Sequence, residues 1–532
     1  MTNSIGELEK DANCIFVIGS NTTENHPVIG MKIKQNKLYN GAKLIVADPR
    51  RTDLAEIADV YMPHLPGSDV ALVNAMMNVI ISEGLADEAF IAEHTEGYEA
   101  MAAVVQKYSP EYAEPITGVP AEDIRAAARL YAQSGNAVIC YAMGLTQHRT
   151  GTDNVKSVCN LAMLTGNIGR PGTGVDPLRG QNNVQGACDM GALPVVYTAY
   201  QAVTNEAVRA KFEKAWGVSL PAENGLVLTE VINKAHHGEM KALYVIGENP
   251  MMSDPDLQHV EEALENLDFL VVQDIFLSET AKYADVVLPG ACFAEKDGTF
   301  SNTERRVQRV RKAVTPPGQA RADWEIICDL ATRMGYPMSY NSAEEIFEEM
   351  RALTPSYAGI TYARLERGGI QWPCPTEEHP GTPFLHKDGN FTRGKGAFSA
   401  IDYIPPGETP DDEYPLILTT GRSLFHYHTG TMTRRASALD AHIPEAELEI
   451  NPELARAKGI QDGELVKVAT RRGHLEVKAK ITEMVAPQVV FMTFHFAEAA
   501  ANWLTGSEFL DPVAKIPEYK VSAARIEKIQ SA

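Results

Sequence analysis

The sequence predicts a multi-domain α/β protein, with open, mostly parallel sheets covered by helices and a small β-barrel at the C-terminal end. Three observations carry this reading. The chain has 532 residues, more than one compact core supports. Short apolar runs alternate with helical periodicity through two long sections, as expected of parallel strands covered on both faces. After Pro405-Pro406-Gly407 the pattern changes to short period-two strands separated by turns, which suits a barrel.

The first section opens on the strand Cys14-Ile15-Phe16-Val17-Ile18, which ends at Gly19-Ser20-Asn21. A helix follows, then Lys43-Leu44-Ile45-Val46-Ala47, ending at Asp48-Pro49-Arg50-Arg51. Ser68 reads as the N-cap of a helix whose apolar residues Val73, Met76, Met77, Ile80 and Ile81 share one face. Ala137-Val138-Ile139-Cys140-Tyr141 is a third strand. Val155, Val158, Cys159, Ala162 and Met163 then mark a helix with Gly166 as its C-cap. From 167 to 193 the periodicity stops in a stretch rich in Gly, Pro and amides. Segments without structure beyond about 12–15 residues are usually functional or disordered. This one has no charge run and no low complexity, so it is read as a functional loop.

The second section repeats the order of apolar strand and polar turn. Ala242-Leu243-Tyr244-Val245-Ile246 ends at Gly247-Glu248-Asn249-Pro250, Phe269-Leu270-Val271-Val272 at Gln273-Asp274, and Ala284-Asp285-Val286-Val287-Leu288 at Pro289-Gly290. Two related nucleotide-binding halves are suggested, without a residue-level repeat. The barrel strands are read at 415–419, 465–469, 475–481 and 489–493. The expected sections are 1–181 and 182–340 (α/β), 341–408 (mixed and proline-rich) and 409–532 (barrel).

Charge and cysteine usage narrow the function. With 70 acidic and 48 basic residues, the formal charge is −22. That surface repels phosphate backbones and argues against nucleic acid or anionic membrane as main partners. No apolar run reaches the roughly 18 residues of a membrane span, and residues 1–11 do not resemble a signal peptide. The seven cysteines form no C-x-x-C pair, which disfavours a self-contained zinc or iron–sulfur site and fits reduced thiols.

Ligands of open parallel sheets bind beyond the carboxyl ends of the strands. Asn21, Glu24, Asp48, Arg50, Gly67, Asp69, Met143, Gly144 and Gln147 lie at such ends in the first section. Gly247, Glu248, Asn249, Gln273 and Asp274 do so in the second. Carboxylates there suit ribose hydroxyls or guanine edges, and glycines and amides suit pyrophosphate. The plain alternative is that polar residues simply terminate strands. No G-x-G-x-x-G follows a strand and no P-loop motif exists, which disfavours a nicotinamide dehydrogenase or P-loop enzyme. His426 and His428 lack a third metal ligand and are read as hydrogen-bonding or packing residues. His236-His237 reads as an exposed helix end; Asp323, Glu325 and the carboxylates of 345–349 read as solvated helix faces. Arg179, in a Gly- and amide-rich loop with no acid nearby, can hold a small carboxylate by two parallel hydrogen bonds, or stand as an exposed loop arginine.

The loop Pro177-Leu178-Arg179-Gly180-Gln181-Asn182-Asn183-Val184-Gln185-Gly186-Ala187-Cys188-Asp189-Met190-Gly191 resembles the signature of the molybdenum- or tungsten-dependent formate dehydrogenase catalytic subunits, a branch of the molybdopterin oxidoreductases. The resemblance runs the length of the chain. It takes in 161–169, Ala47-Asp48-Pro49-Arg50, Ile246-Gly247-Glu248-Asn249-Pro250, 295–300, 426–431 and Pro517-Glu518-Tyr519-Lys520. It implies two Rossmann-like α/β domains, each binding one molybdopterin guanine dinucleotide, and a C-terminal double-psi type β-barrel. The residues of the first strand ends would line one dinucleotide and those of the second the other. Gln181, Arg422, His426, His428, Asn502, Tyr519 and Lys520 would contact the pterins, with Arg179 holding formate beside molybdenum or tungsten. Two-electron oxidation of formate to carbon dioxide, reversed in some members, is the implied reaction. The resemblance also implies electron-transfer partner subunits and a cytoplasmic location.

Family members begin with four spaced cysteines for a [4Fe-4S] cluster, then a cysteine or selenocysteine metal ligand followed by a catalytic histidine. The sequence starts at a point just after that histidine. The expectation is a selenocysteine codon read as a stop, or a split subunit. Little or no formate oxidation is expected of these residues alone. A pterin-carrying module and a sibling enzyme acting on another small oxyanion are the alternatives.

Overall fold

A computed structural model describes residues 1–529, which divide into two compact units. The first comprises Met1–Gly180, Met252–Gln258 and the chain from Phe384 onward; the second comprises Gln181–Met251 and His259–Pro383.

The first unit is built on a five-stranded parallel sheet in the order Val60–Met62, Lys43–Ala47, Cys14–Ile18, Ala137–Tyr141, Gly174–Pro177. The central strand is buried at every position, so its period-two alternation feeds two cores. Cys14, Phe16 and Ile18 pack on one face; Ile15 and Val17 pack on the other. Helices Asp69–Ser82, Ala121–Gln133 and Gly151–Leu164 supply the first core, and Pro27–Gln35 the second. Burying each such apolar side chain is worth about 1.5–3 kcal/mol. Ser68 is the N-cap residue of Asp69–Ser82, but its hydroxyl donates to the Leu65 carbonyl and caps no amide. Gly166, expected as the C-cap of the next helix, lies one residue beyond Thr165 with φ +62°.

The stretch 167–193 is not structureless. Gly174–Pro177 pairs in parallel with Ala137–Tyr141, and Val184–Asp189 forms a short helix. Gly, Asp and Pro disfavour strands intrinsically, yet an edge position beside a buried strand overrides that preference here.

In the same unit a closed barrel runs in the order Leu416–Gly421, Val489–Thr493, Glu447–Ile450, His474–Ile481, Leu465–Ala469, Ser522–Lys528. Two of its pairings are parallel and the rest antiparallel, the mixed pattern of a double-psi barrel. Two strands escaped the sequence reading. Glu447–Ile450 has only four residues, and Ser522–Lys528 begins with small residues whose β preference is weak.

The second unit carries a parallel sheet in the order Val286–Pro289, Phe269–Asp274, Ala242–Ile246, with helices Leu228–His236, Leu257–Glu265 and Asp323–Arg333 among its elements. An antiparallel set, Gly298–Ser301, Arg306–Val310 and Ile370–Gln371, lies in it as well. No helix of the described residues is long and apolar enough to cross a membrane.

Candidate functional site

The central strand of the first unit leaves its polar turn at a tight crossing. The Gly144 amide donates to the Gly19 carbonyl at 3.0 Å, and a Cβ on Gly144 would sit 2.5 Å from that oxygen. Gly19 takes φ +57°. Only two glycines allow this approach. Beyond it, Ser20, Thr22 and Thr52 are buried, yet their hydroxyls, with that of Thr23 and the Asn25 carbonyl, have no hydrogen-bond partner among the described residues. Leaving a buried polar group unsatisfied costs about 1–3 kcal/mol. A row of them at the carboxyl ends of parallel strands is chemistry that a polar ligand would satisfy. These atoms suit the hydroxyl, phosphate and amide groups of a pterin nucleotide.

The expected residues of this unit fall around that turn and at the neighbouring strand ends. Asn21 is half-buried and its carbonyl accepts from the Asn25 amide at 3.1 Å. Burial pushes the Glu24 and Asp48 carboxyls above their ordinary range. The Arg50 guanidinium makes a bidentate pair with Glu449, at 2.8 and 3.1 Å, lies 3.7 Å from the centre of the Phe491 ring, and favours the charged form of Glu24. Gly67 takes φ +84°, and a Cβ there would meet Pro406. Met143 begins a short helix and Gln147 follows it, both half-buried.

Asp69 belongs to a buried group that periodicity does not mark. Its Oδ1 accepts from His64 Nε2 at 3.1 Å, and its Oδ2 lies 3.9 Å from His148 Nε2 without a hydrogen-bond partner among the described residues. Burial opposes charge on both partners, but their mutual attraction wins, holding His64 above and Asp69 below the ordinary range. His148 Nδ1 in turn lies 3.9 Å from Glu518 Oε1.

The loop carrying Arg179 is half-buried and held by two side chains. His26 Nε2 donates to the Arg179 carbonyl at 2.7 Å, and Arg422 Nη1 donates to the Gly180 carbonyl at 3.1 Å. A Cβ at Gly180 would lie 2.7 Å from both terminal nitrogens of Arg422. Burial lowers Arg422 from its ordinary value.

His426 and His428 are in coil after Leu416–Gly421, and no third ligand joins them: no metal-binding cluster exists among the described residues. His426 Nε2 donates to the Ile443 carbonyl at 2.7 Å. Burial, with Arg422 nearby, lowers His428 to about 4. His495, which the sequence did not single out, accepts from the Ser423 amide at 2.9 Å on Nε2 and donates from Nδ1 to the His428 carbonyl. Those two bonds fix a neutral ring, and burial lowers it to about 3. Lys520 is buried, donates to the Thr420 carbonyl at 2.7 Å, and is lowered to about 7 by burial and then by Arg422. Asn502 and Tyr519 are committed to the segment Met252–Gln258: the Asn502 amide donates to the Met252 carbonyl and the Tyr519 hydroxyl to that of Ser253, at 2.8 and 2.9 Å.

In the second unit, Gly247 and Glu248 follow one strand, and Gln273 and Asp274 end its neighbour. Burial and then Asp274 raise the Glu248 carboxyl. The Asn249 side chain holds Thr280 and Glu279. Gln273 is buried, accepts from the Tyr244 hydroxyl and donates to Asp323 at 2.7 Å. Asp323, read from sequence as part of a solvated helix face, also pairs with Lys296 and anchors Gln273. Gln181 is half-buried.

Residues 1–333 match the molybdopterin oxidoreductase family, and 416–523 match the molydopterin dinucleotide binding domain. The chain belongs to the molybdopterin oxidoreductase family, on the branch of the formate dehydrogenase alpha subunits. It is 55% identical to the F420-dependent formate dehydrogenase 1 subunit alpha of Methanococcus maripaludis, over 99% of this chain and 78% of the relative. It is 45% identical to formate dehydrogenase H of Escherichia coli, over 99% and 74%. Its fold is similar to that of acetylene hydratase from Pelobacter acetylenicus, with a TM-score of 0.77 at 22% identity, covering 99% of this chain and 81% of that one.

Proposed function

We propose that this chain is catalytic-subunit sequence of a formate dehydrogenase, an enzyme that oxidises formate to carbon dioxide in a two-electron reaction, and that these residues alone turn over little or no formate. The observation that carries the reading is the Arg179 loop, whose carbonyls are pinned by His26 and Arg422 beside a row of unpartnered buried polar atoms. We further propose two molybdopterin guanine dinucleotides with molybdenum or tungsten. Residues 1–181 would contribute to one and 182–340 to the other, with 341–408 connecting and 409–532 contacting the pterin parts.

The Ser20, Thr22, Thr23 and Asn25 oxygens fit the first dinucleotide, with Asp69 and Gly144 at neighbouring strand ends. Glu248 and Asp274 would accept from hydroxyls of the second. When bound, the metal–dithiolene group supplies the redox chemistry. The protein's part is to bind and orient. Arg179 takes the formate carboxylate in two parallel charge-assisted bonds. An iron–sulfur cluster and partner subunits would carry the electrons away when present, with a deazaflavin as acceptor by analogy with the relatives named F420-dependent. A cytoplasmic location is part of the same proposal.

Arg179→Lys in the complete enzyme tests this. A lysine keeps the charge but loses the planar fork, so the KM for formate should rise about tenfold to a hundredfold, the equivalent of one charge-assisted hydrogen bond. An unchanged KM removes Arg179 from the substrate site.

A further inference from the structure

We propose that His26 is a positioning residue for Arg179, fixing the backbone from which the guanidinium reaches its ligand. The inference rests on the formate reading only for its kinetic arm. A carbonyl can only accept, so the 2.7 Å contact to the Arg179 oxygen places a proton on His26 Nε2. The other ring nitrogen, Nδ1, is buried and has no hydrogen-bond partner among the described residues. The ring therefore makes one hydrogen bond, and that bond goes to the loop. Burial lowers its basicity, with Arg422 adding to the effect, so the neutral donor form persists at neutral pH.

The position of His26 makes it a stiff support. It is the residue before Pro27 at the start of helix Pro27–Gln35, whose Ile29 and Ile33 are buried in the core under the parallel sheet. The Arg422 bond to the next carbonyl holds the loop from the barrel side. Two successive peptide groups are thus clamped from two elements, and a glycine at 180 gives the Arg422 guanidinium room to do it. A one-ångström misplacement of a binding group can cost orders of magnitude in rate, so a backbone clamp at the arginine itself is where precision is set.

Two variants separate positioning from bulk: His26→Phe keeps the ring and loses the donor, whereas His26→Gln offers an amide N–H near the Nε2 position. Thermal melts establish that each variant is folded. Hydrogen exchange of the peptide spanning 178–183 is measured on the purified chain. Formate KM and kcat are measured on the complete enzyme with its partner subunits. The expected result is about tenfold faster exchange in His26→Phe, the worth of one buried hydrogen bond. KM should rise about tenfold with kcat changed less than about threefold, since the arginine binds ground and transition states alike. His26→Gln should recover most of both losses. The proposal is overturned if His26→Phe exchanges like the wild type, or if His26→Gln is as impaired as His26→Phe in both measurements. If the exchange contrast holds but the wild-type enzyme oxidises no formate, the clamp stands and the formate reading falls.

Discussion

Gly144→Ala is the sharpest test of the strand-end crossing. The substitution is not disfavoured by backbone conformation, because Gly144 does not lie at positive φ. Its cost comes from contact. The new methyl would lie 2.5 Å from the Gly19 oxygen, 2.7 Å from its Cα and 2.8 Å from its carbonyl carbon. All three are backbone atoms of the buried central strand's end, with no flexible side chain to yield. Ordinary contact requires the turns to separate by nearly an ångström, which also breaks the 3.0 Å amide bond between them. Overpacking of this kind costs about 1–3 kcal/mol and the lost bond about 1 more, so a total of roughly 2–4 kcal/mol is expected. In a unit of this size the melting temperature should fall by about 3–6 °C. Gly6→Ala, where a Cβ would meet nothing within 4 Å, serves as the control. The assay is thermal unfolding of the purified variants, followed by chromatographic measurement of guanine nucleotide released from natively expressed protein. A melt within about 1 °C of wild type, with normal nucleotide content, would refute both the packing argument and the placement of a dinucleotide there.

Two further outcomes follow from buried charge. Glu449→Gln leaves the 7% exposed Arg50 without its anion and should lower stability by about 3–5 kcal/mol, read as a lower urea midpoint at constant slope; an unmoved midpoint refutes it. His64→Gln should show a pH-dependent cost. His64 is raised in the folded state, so its contribution is full below about pH 6.5 and is lost as pH rises through the folded value; Asp69 is lowered, so its share is present above about pH 4 and is lost on acidification. The stability difference from wild type should peak near pH 5–6 and shrink by about pH 9. A difference that stays flat in denaturant titrations across that range excludes the ion pair.

The strands with continuous apolar runs, such as Cys14–Ile18 and Ala137–Tyr141, were legible because burial on both faces leaves a pattern that no helix or exposed loop shares. Gly174–Pro177 was not: its residues carry loop chemistry, and its strand state comes from its neighbour. The site was legible as strand ends, but not as partnerships. Nothing local says that the Arg50 fork belongs to Glu449, or that the Asn502 amide belongs to Met252, because those contacts form between residues hundreds of positions apart. His26 and His495 were missed for the same reason. A histidine in a turn is unremarkable until the carbonyl or amide facing it is known.

The 399 positions from Arg50 to Glu449 have a temporal meaning. At roughly 5–20 residues per second, translation delivers the glutamate some 20–80 s after the arginine. During that interval the early sheet can assemble, but the guanidinium must remain hydrated or borrow another anion. Completion of the Arg50 ion pair is therefore tied to emergence of the barrel, and a nascent chain stalled before residue 449 would present an unpaired guanidinium to chaperones.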